Sequence, residues 1–117
     1  MDKGKVIKVA ELKSFLPPAH TNTDAWVIIN KDTVGAKLTS FSLTEIRPGG
    51  EAAEATHPGA EHGLFILSGI GEAMVKGEKF IVHPYECIWV PPGAEHSIKP
   101  IGNQTLRALV FSVMPEA

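Results

Sequence analysis

Turn-forming residues punctuate this chain about every ten positions, at Pro17-Pro18, Asn30-Lys31-Asp32, Pro48-Gly49-Gly50, Pro58-Gly59, Gly69-Ile70-Gly71, Lys76-Gly77-Glu78, Pro84, Pro91-Pro92-Gly93 and Gly102-Asn103. Helices of ordinary length do not fit between such breaks, whereas strands do. The runs between them are rich in β-branched and aromatic residues: Ala25 to Ile29, Lys37 to Arg47, Gly63 to Leu67, Glu72 to Val75, Lys79 to Val82, Cys87 to Val90 and Leu106 to Val113. An all-β fold of short antiparallel strands follows, and a jelly-roll β-barrel satisfies both architectures open to it, a sandwich and a small barrel. Glu72 to Val75 and Lys79 to Val82 flank Lys76-Gly77-Glu78 and form the clearest hairpin, because Gly77 takes positive φ at little cost. In the run from Lys37 to Glu45, Leu38 falls off the face shared by Phe41 and Leu43, which predicts a bulge or register change near Ser40. Only Val9 to Leu16 has helical spacing, with Leu12, Phe15 and Leu16 on one face, and Pro17 ends it after at most two turns.

With 117 residues the chain holds one core, so residues 1–117 are read as a single domain, with the barrel over about 37–113 and an N-terminal arm over 1–24. A charged fraction of 21% and a formal net charge of −2 lack the basic excess that phosphate backbones require, which argues against a nucleic-acid partner. The N-terminus leads into no apolar signal region and no run is long enough to span a membrane, so a cytoplasmic protein without a membrane partner is expected. The lone Cys87, set among Ile88, Trp89 and Val90, reads as a buried strand position in a reducing compartment.

Chemistry concentrates in two segments. Thr56-His57-Pro58-Gly59-Ala60-Glu61-His62-Gly63 places two imidazoles around a Pro-Gly reversal, and Pro91-Pro92-Gly93-Ala94-Glu95-His96 brings a third behind a proline-braced turn. Divalent first-row metals take neutral imidazole nitrogen at about 2.0–2.1 Å, and three protein ligands leave positions open for water or substrate. His57, His62 and His96 are therefore the candidate metal ligands, with manganese, iron, zinc or nickel as the cation. His20 and His83 lie in no such pattern and are read as structural. For a fourth ligand, residue 55 would share a strand face with His57 but is an alanine. A bulge near Thr56 would bring Glu54 inward instead, and Glu61 and Glu51 follow in that order; the alternative for each carboxylate is a solvated surface charge.

These segments resemble the cupin superfamily. Its first motif carries His-x-His, then a glutamate, then a glycine; its second carries Pro-x-Gly ahead of a histidine and an asparagine. Here Gly69 closes the first motif, His62 stands at the glutamate, His57 at the second histidine and Ala55 at the first. Pro91, Gly93 and His96 match the second, while Tyr85 replaces its opening glycine and Pro100 its asparagine. The stretch from His62 to Gly71 is also similar to the metal-binding segment of ureidoglycine aminohydrolases, which supports His62 as a ligand. The resemblance implies a cupin jelly roll, a bound divalent metal and a homodimer in which the segment around Val6 to Val9 pairs with the neighbouring sheet.

An ion held by neutral imidazoles keeps its +2 charge and favours a small anionic or oxygen-rich ligand. A metal-dependent dioxygenase, isomerase or hydrolase is the first reading. Glu61 or Glu95, adjacent to His62 and His96, would then serve as general base or ligand partner. A non-catalytic module that binds or senses a small molecule is the second, supported by Ala55. Metal-free acid–base chemistry, with His57 or His62 as base and Tyr85 as acid, is the third. Phe41, Leu43, Phe65, Ile66, Ile88, Trp89 and Phe111 are the candidate core and lining residues, their direction depending on register.

Overall fold

The computed structural model describes residues 4–37, 39–54 and 59–113, and of residue 54 only the backbone. Eight strands form one sheet that curls into a nearly closed barrel of jelly-roll type: β1 (His20–Ile29), β2 (Thr39–Glu54), β3 (Glu61–Ser68), β4 (Gly71–Val75), β5 (Glu78–Val82), β6 (Cys87–Val90), β7 (His96–Pro100) and β8 (Leu106–Val113). Hydrogen-bonded neighbours run in the order β5-β4-β7-β2-β8-β3-β6, with β1 paired to β2. All named pairings are antiparallel.

Period-two alternation sorts the barrel into an inner and an outer face. Ile46, Leu64, Ile66, Val90, Ile98, Leu106 and Ala108 are buried together inside. On the outer face, register aligns Phe41 with Phe111, Phe111 with Gly63 and Gly63 with Trp89. A Cβ at Gly63 would run into the Phe111 ring, which would have to shift to admit it. Of the apolar residues singled out above, Ile66 and Ile88 point inward, and Phe41, Leu43, Phe65, Trp89 and Phe111 face the other way. Cys87 shares that outer face and is exposed, which corrects the expectation of a buried thiol: Ile88 and Val90 take the inner positions of β6, so Cys87 and Trp89 cannot.

β4 and β5 pair from Gly71 opposite Val82 to Val75 opposite Glu78, leaving Lys76-Gly77 as a two-residue loop. Their φ values of 49° and 81° are those of a type I′ turn. Pro48-Gly49-Gly50 is not a break between strands. β2 runs through it for 16 residues, pairing with β8 before the bend and with β7 after it. Gly49 adopts φ 85°, and a Cβ on Gly50 would collide with the Thr21 carbonyl, so the glycines let one strand turn the corner of the barrel.

The bulge expected near Ser40 is absent from β2, whose register with β8 is continuous from Thr39–Val113 to Ile46–Leu106. The irregularities fall in the β1–β2 pairing: Asn22 stands against residues 47–50 of β2, and Ile28 is the extra residue of β1 between the Val27–Ser42 and Ile29–Phe41 pairs, a register change close to Ser40. The helix expected over Val9 to Leu16 shrinks to a 3-10 turn, Val9–Glu11. So short a helix has little stability of its own. Phe15 forms an antiparallel bridge to Ala25 instead, with both backbone hydrogen bonds at 2.9 Å. Between β1 and β2 a four-residue helix, α1 (Lys31–Val34), is closed by a capping box of Asn30 and Thr33.

Candidate functional site

β3 and β7 are not neighbours in the sheet, and the barrel's curvature alone brings them face to face. His62 is the second residue of β3, on the inner face, and is buried; His96 begins β7 and is half-buried. Their ring centroids lie 5.0 Å apart, tilted by 39°. Two imidazoles bound side by side to one first-row ion through bonds of about 2.0–2.1 Å would have a similar spacing, so the pair fits two adjacent ligands.

Each ring is held at Nδ1. His62 Nδ1 and Ser112 Oγ are 2.6 Å apart, and the two residues are register partners on β3 and β8. His96 Nδ1–H donates to the Ala94 carbonyl at 3.1 Å. That carbonyl is positioned by the turn Pro91-Pro92-Gly93-Ala94, in which Ala94 N–H donates to Pro91 at 3.1 Å and Gly93 takes φ 75°, as a type II turn requires. An imidazole fixed through Nδ1 is oriented to use Nε2, the arrangement that outer partners impose on ligand histidines.

His57 lies outside the described residues, as does the side chain of Glu54; the backbone of Glu54 pairs with His96 in register. Among the described residues, no group of three or more His, Cys, Asp or Glu could hold a metal ion. Glu61 and Tyr85, expected to act on a bound molecule, are placed on the outside of the barrel. Glu61 accepts the Trp89 indole N–H at 3.0 Å. Tyr85 is 78% exposed, its ring 6.0 Å from that of Phe65. Neither is among the residues that line the cavity of the barrel. The side chains of Glu51 and Glu95 are likewise exposed.

A cavity of about 270 Å³ lies in the barrel interior beside His96. Its walls are largely apolar, with Ala25, Val27, Ile46, Leu64, Ile98 and Val110 among them. A row of hydroxyls crosses this surface: Ser40, Ser42 and Thr44 from β2 and Ser112 from β8. These side chains supply donors and acceptors without charge, suited to hydroxyl and carbonyl oxygens on an otherwise apolar molecule. The N-terminal arm closes the cavity with Phe15, Pro17 and His20.

His20, structural by its sequence context, lines the cavity, as do Ser40, Ser42, Thr44 and Ser112, which no sequence motif marks. The signal for His20 was weak: it enters through register, opposite Ala52 on β2, and no local motif marks it. His83 is exposed and pairs with Glu86 at the turn between β5 and β6, away from the cavity. There the backbone N–H of His83, reinforced by its ring, holds the Glu86 carboxyl below its ordinary pKa. No helix among the described residues is long and apolar enough to cross a membrane.

Removing the Ser112 hydroxyl tests the orientation of His62. Ser112→Ala is expected to weaken binding of added Zn²⁺ or Mn²⁺ by about tenfold, within the roughly 10–100-fold range for partners of ligand histidines, as read by titration calorimetry. Unchanged affinity would mean that this contact only supports packing.

Comparison with known proteins places this architecture. The chain is 27% identical over 117 residues to the polyketide synthase protein CurC of Streptomyces cyaneus, covering all of this chain and 75% of that one. It is 26% identical over 106 residues to the tetracenomycin polyketide synthase protein TcmJ of Streptomyces glaucescens, covering 91% and 70%. Among solved structures, the polyketide cyclase RemF of Streptomyces resistomycificus superposes with a TM-score of 0.81 at 24% identity, covering 97% of this chain and 81% of that one. A predicted oxalate decarboxylase of Thermotoga maritima gives a TM-score of 0.81 at 19% identity, covering 95% and 100%. At these identities the structural matches speak for the fold. The cupin domain family Cupin_2 matches residues 42–112, from the hydroxyl row of β2 to the serine beneath His62, and the chain belongs to that family.

Proposed function

We propose that the protein is a metal-dependent cupin that acts on a small, oxygen-rich and largely apolar metabolite, with a phenolic or poly-carbonyl compound of the polyketide type as the best-fitting class. The observation that carries this reading is the approach of His62 and His96 to 5.0 Å at a cavity lined by hydroxyls and aliphatic side chains. The names of the two curated relatives, both polyketide synthase proteins, support the substrate class.

In this reading His62 and His96, with His57, hold a manganese, iron, zinc or nickel ion, and Glu54 is the candidate for a further ligand. Such an ion supplies Lewis-acid polarisation of a carbonyl or enol oxygen when bound. The chain's own residues do the rest. Ser40, Ser42 and Thr44 hydrogen-bond substrate oxygens and fix their direction, while Leu64, Ile98 and Val110 exclude water and seat the carbon skeleton. The second reading, a module that binds such a compound without turnover, is favoured by Ala55, which stands where the family motif has its first histidine.

Elemental analysis of protein purified without added metal, with turnover assays on hydroxylated naphthalenes and linear β-polyketones, separates these readings. Near-stoichiometric metal and a new product support the enzyme. Metal and saturable binding without a product support the binding module, and neither metal nor binding rejects both.

A further inference from the structure

His20 lines the cavity from the N-terminal arm, the first residue of β1. It follows Ala19, which adopts φ 62°, a left-handed conformation that a non-glycine residue rarely takes. The backbone N–H of His20 donates to the Pro17 carbonyl at 3.2 Å, and its Nδ1 lies 2.8 Å from the Pro18 carbonyl. A carbonyl oxygen only accepts, so Nδ1 carries the hydrogen and the neutral ring keeps its lone pair on Nε2. The segment bearing this ring is strapped down on both sides, by the Phe15–Ala25 bridge before it and by pairing of His20 with Ala52 after it. Together with Phe15 and Pro17, His20 forms part of the cavity wall.

Among the residues lining the cavity, His20 and His96 are the ones that carry an imidazole. His96 stands against His62, where a cation is proposed, whereas His20 comes from the opposite end of the chain. The hydroxyls of Ser40, Ser42, Thr44 and Ser112 orient a ligand oxygen but do not take up a proton at neutral pH. We propose that His20 is the proton acceptor of this cavity: its Nε2 takes the proton of a phenolic or enolic hydroxyl on the bound molecule. The O–H electron pair stays on the ligand as phenolate or enolate, and the imidazole becomes imidazolium. This assignment deepens the proposed function and rests on its substrate class. It does not depend on the metal.

The test uses the full chain stripped with a chelator and 4-nitrophenol as probe, whose phenolate is read by its visible absorption. Long-range ¹H–¹⁵N spectra of the free protein at neutral pH are expected to show His20 with Nδ1 protonated and Nε2 bare. In mildly acidic buffer, where free 4-nitrophenol is mostly un-ionised, binding should protonate Nε2 and raise the phenolate band above that of the probe alone at the same pH. His20→Asn keeps an amide donor for the Pro18 carbonyl and lacks the second nitrogen; it should bind the probe at least about tenfold more weakly and leave it neutral. An Nε2–H tautomer in the free wild type, a probe that does not bind or stays un-ionised, or equal ionisation by His20→Asn would each overturn the assignment. The tautomer measurement needs no variant, so a misfolded His20→Asn does not rescue the proposal. Metal content of unstripped wild-type protein is read separately: probe ionisation without any native metal would sink the metal-dependent reading and leave His20 standing.

Discussion

His96→Ala is expected to lower affinity for Zn²⁺ or Mn²⁺ by more than about a hundredfold, beyond the roughly 10–100-fold cost of losing a partner of a ligand histidine. It should leave the barrel folded. His96 sits at the start of β7, half-buried and on the cavity wall, so truncation opens space at the cavity without removing Ile98 from the core. The loss should therefore appear in metal content by elemental analysis and in calorimetric affinity, with a melting temperature within a few degrees of wild type when both are metal-free. Stoichiometric metal retained by His96→Ala would show that the ion lies elsewhere, because the ring 5.0 Å from that of His62 would then be dispensable. The comparison with Ser112→Ala grades the effect: loss of a ligand should exceed loss of the hydroxyl that orients one.

How far such a site can be read from sequence depends on whether its logic is local. The hairpin from Gly71 to Val82 was legible because turn chemistry and alternation are both local, and the structure shortens its loop only to Lys76-Gly77. Local spacing also singled out His62 and His96. Their meeting was not local, since β3 and β7 face each other only once six other strands have closed the barrel. The same limit explains the misses. Pro48-Gly49-Gly50 has the composition of a turn but serves as a bend, because β2 has a partner on each side of it. Cys87 sits among apolar neighbours in sequence and outside the core in space, since one strand position settles its face. His20 looked like an isolated histidine because its place in the cavity wall comes from pairing with Ala52, 32 positions away.

Gly69→Ala is expected to destabilise the fold by about 2–5 kcal/mol, from two independent penalties. Gly69 has φ 83°, and an alanine held there costs about 1–2 kcal/mol in conformation alone. A Cβ at this position would also lie 2.6 Å from the Thr105 carbonyl oxygen and 3.0 Å from the Leu106 Cα. Those are backbone atoms at the start of β8, and relieving the contact would shift Leu106, which is fully buried in the barrel core. Overpacking of this kind adds about 1–3 kcal/mol. For a domain of this size the sum corresponds to a fall in Tm of roughly 8–20 °C, readable by circular dichroism. Gly77→Ala isolates the two terms: its φ is 81°, nearly the same, but nothing stands within 4 Å of the added Cβ. It should therefore cost only the conformational share. Equal losses for the two variants would mean that β8 yields freely at Thr105, and that the glycine closing the first histidine motif is there for its φ and not for the strand that passes over it.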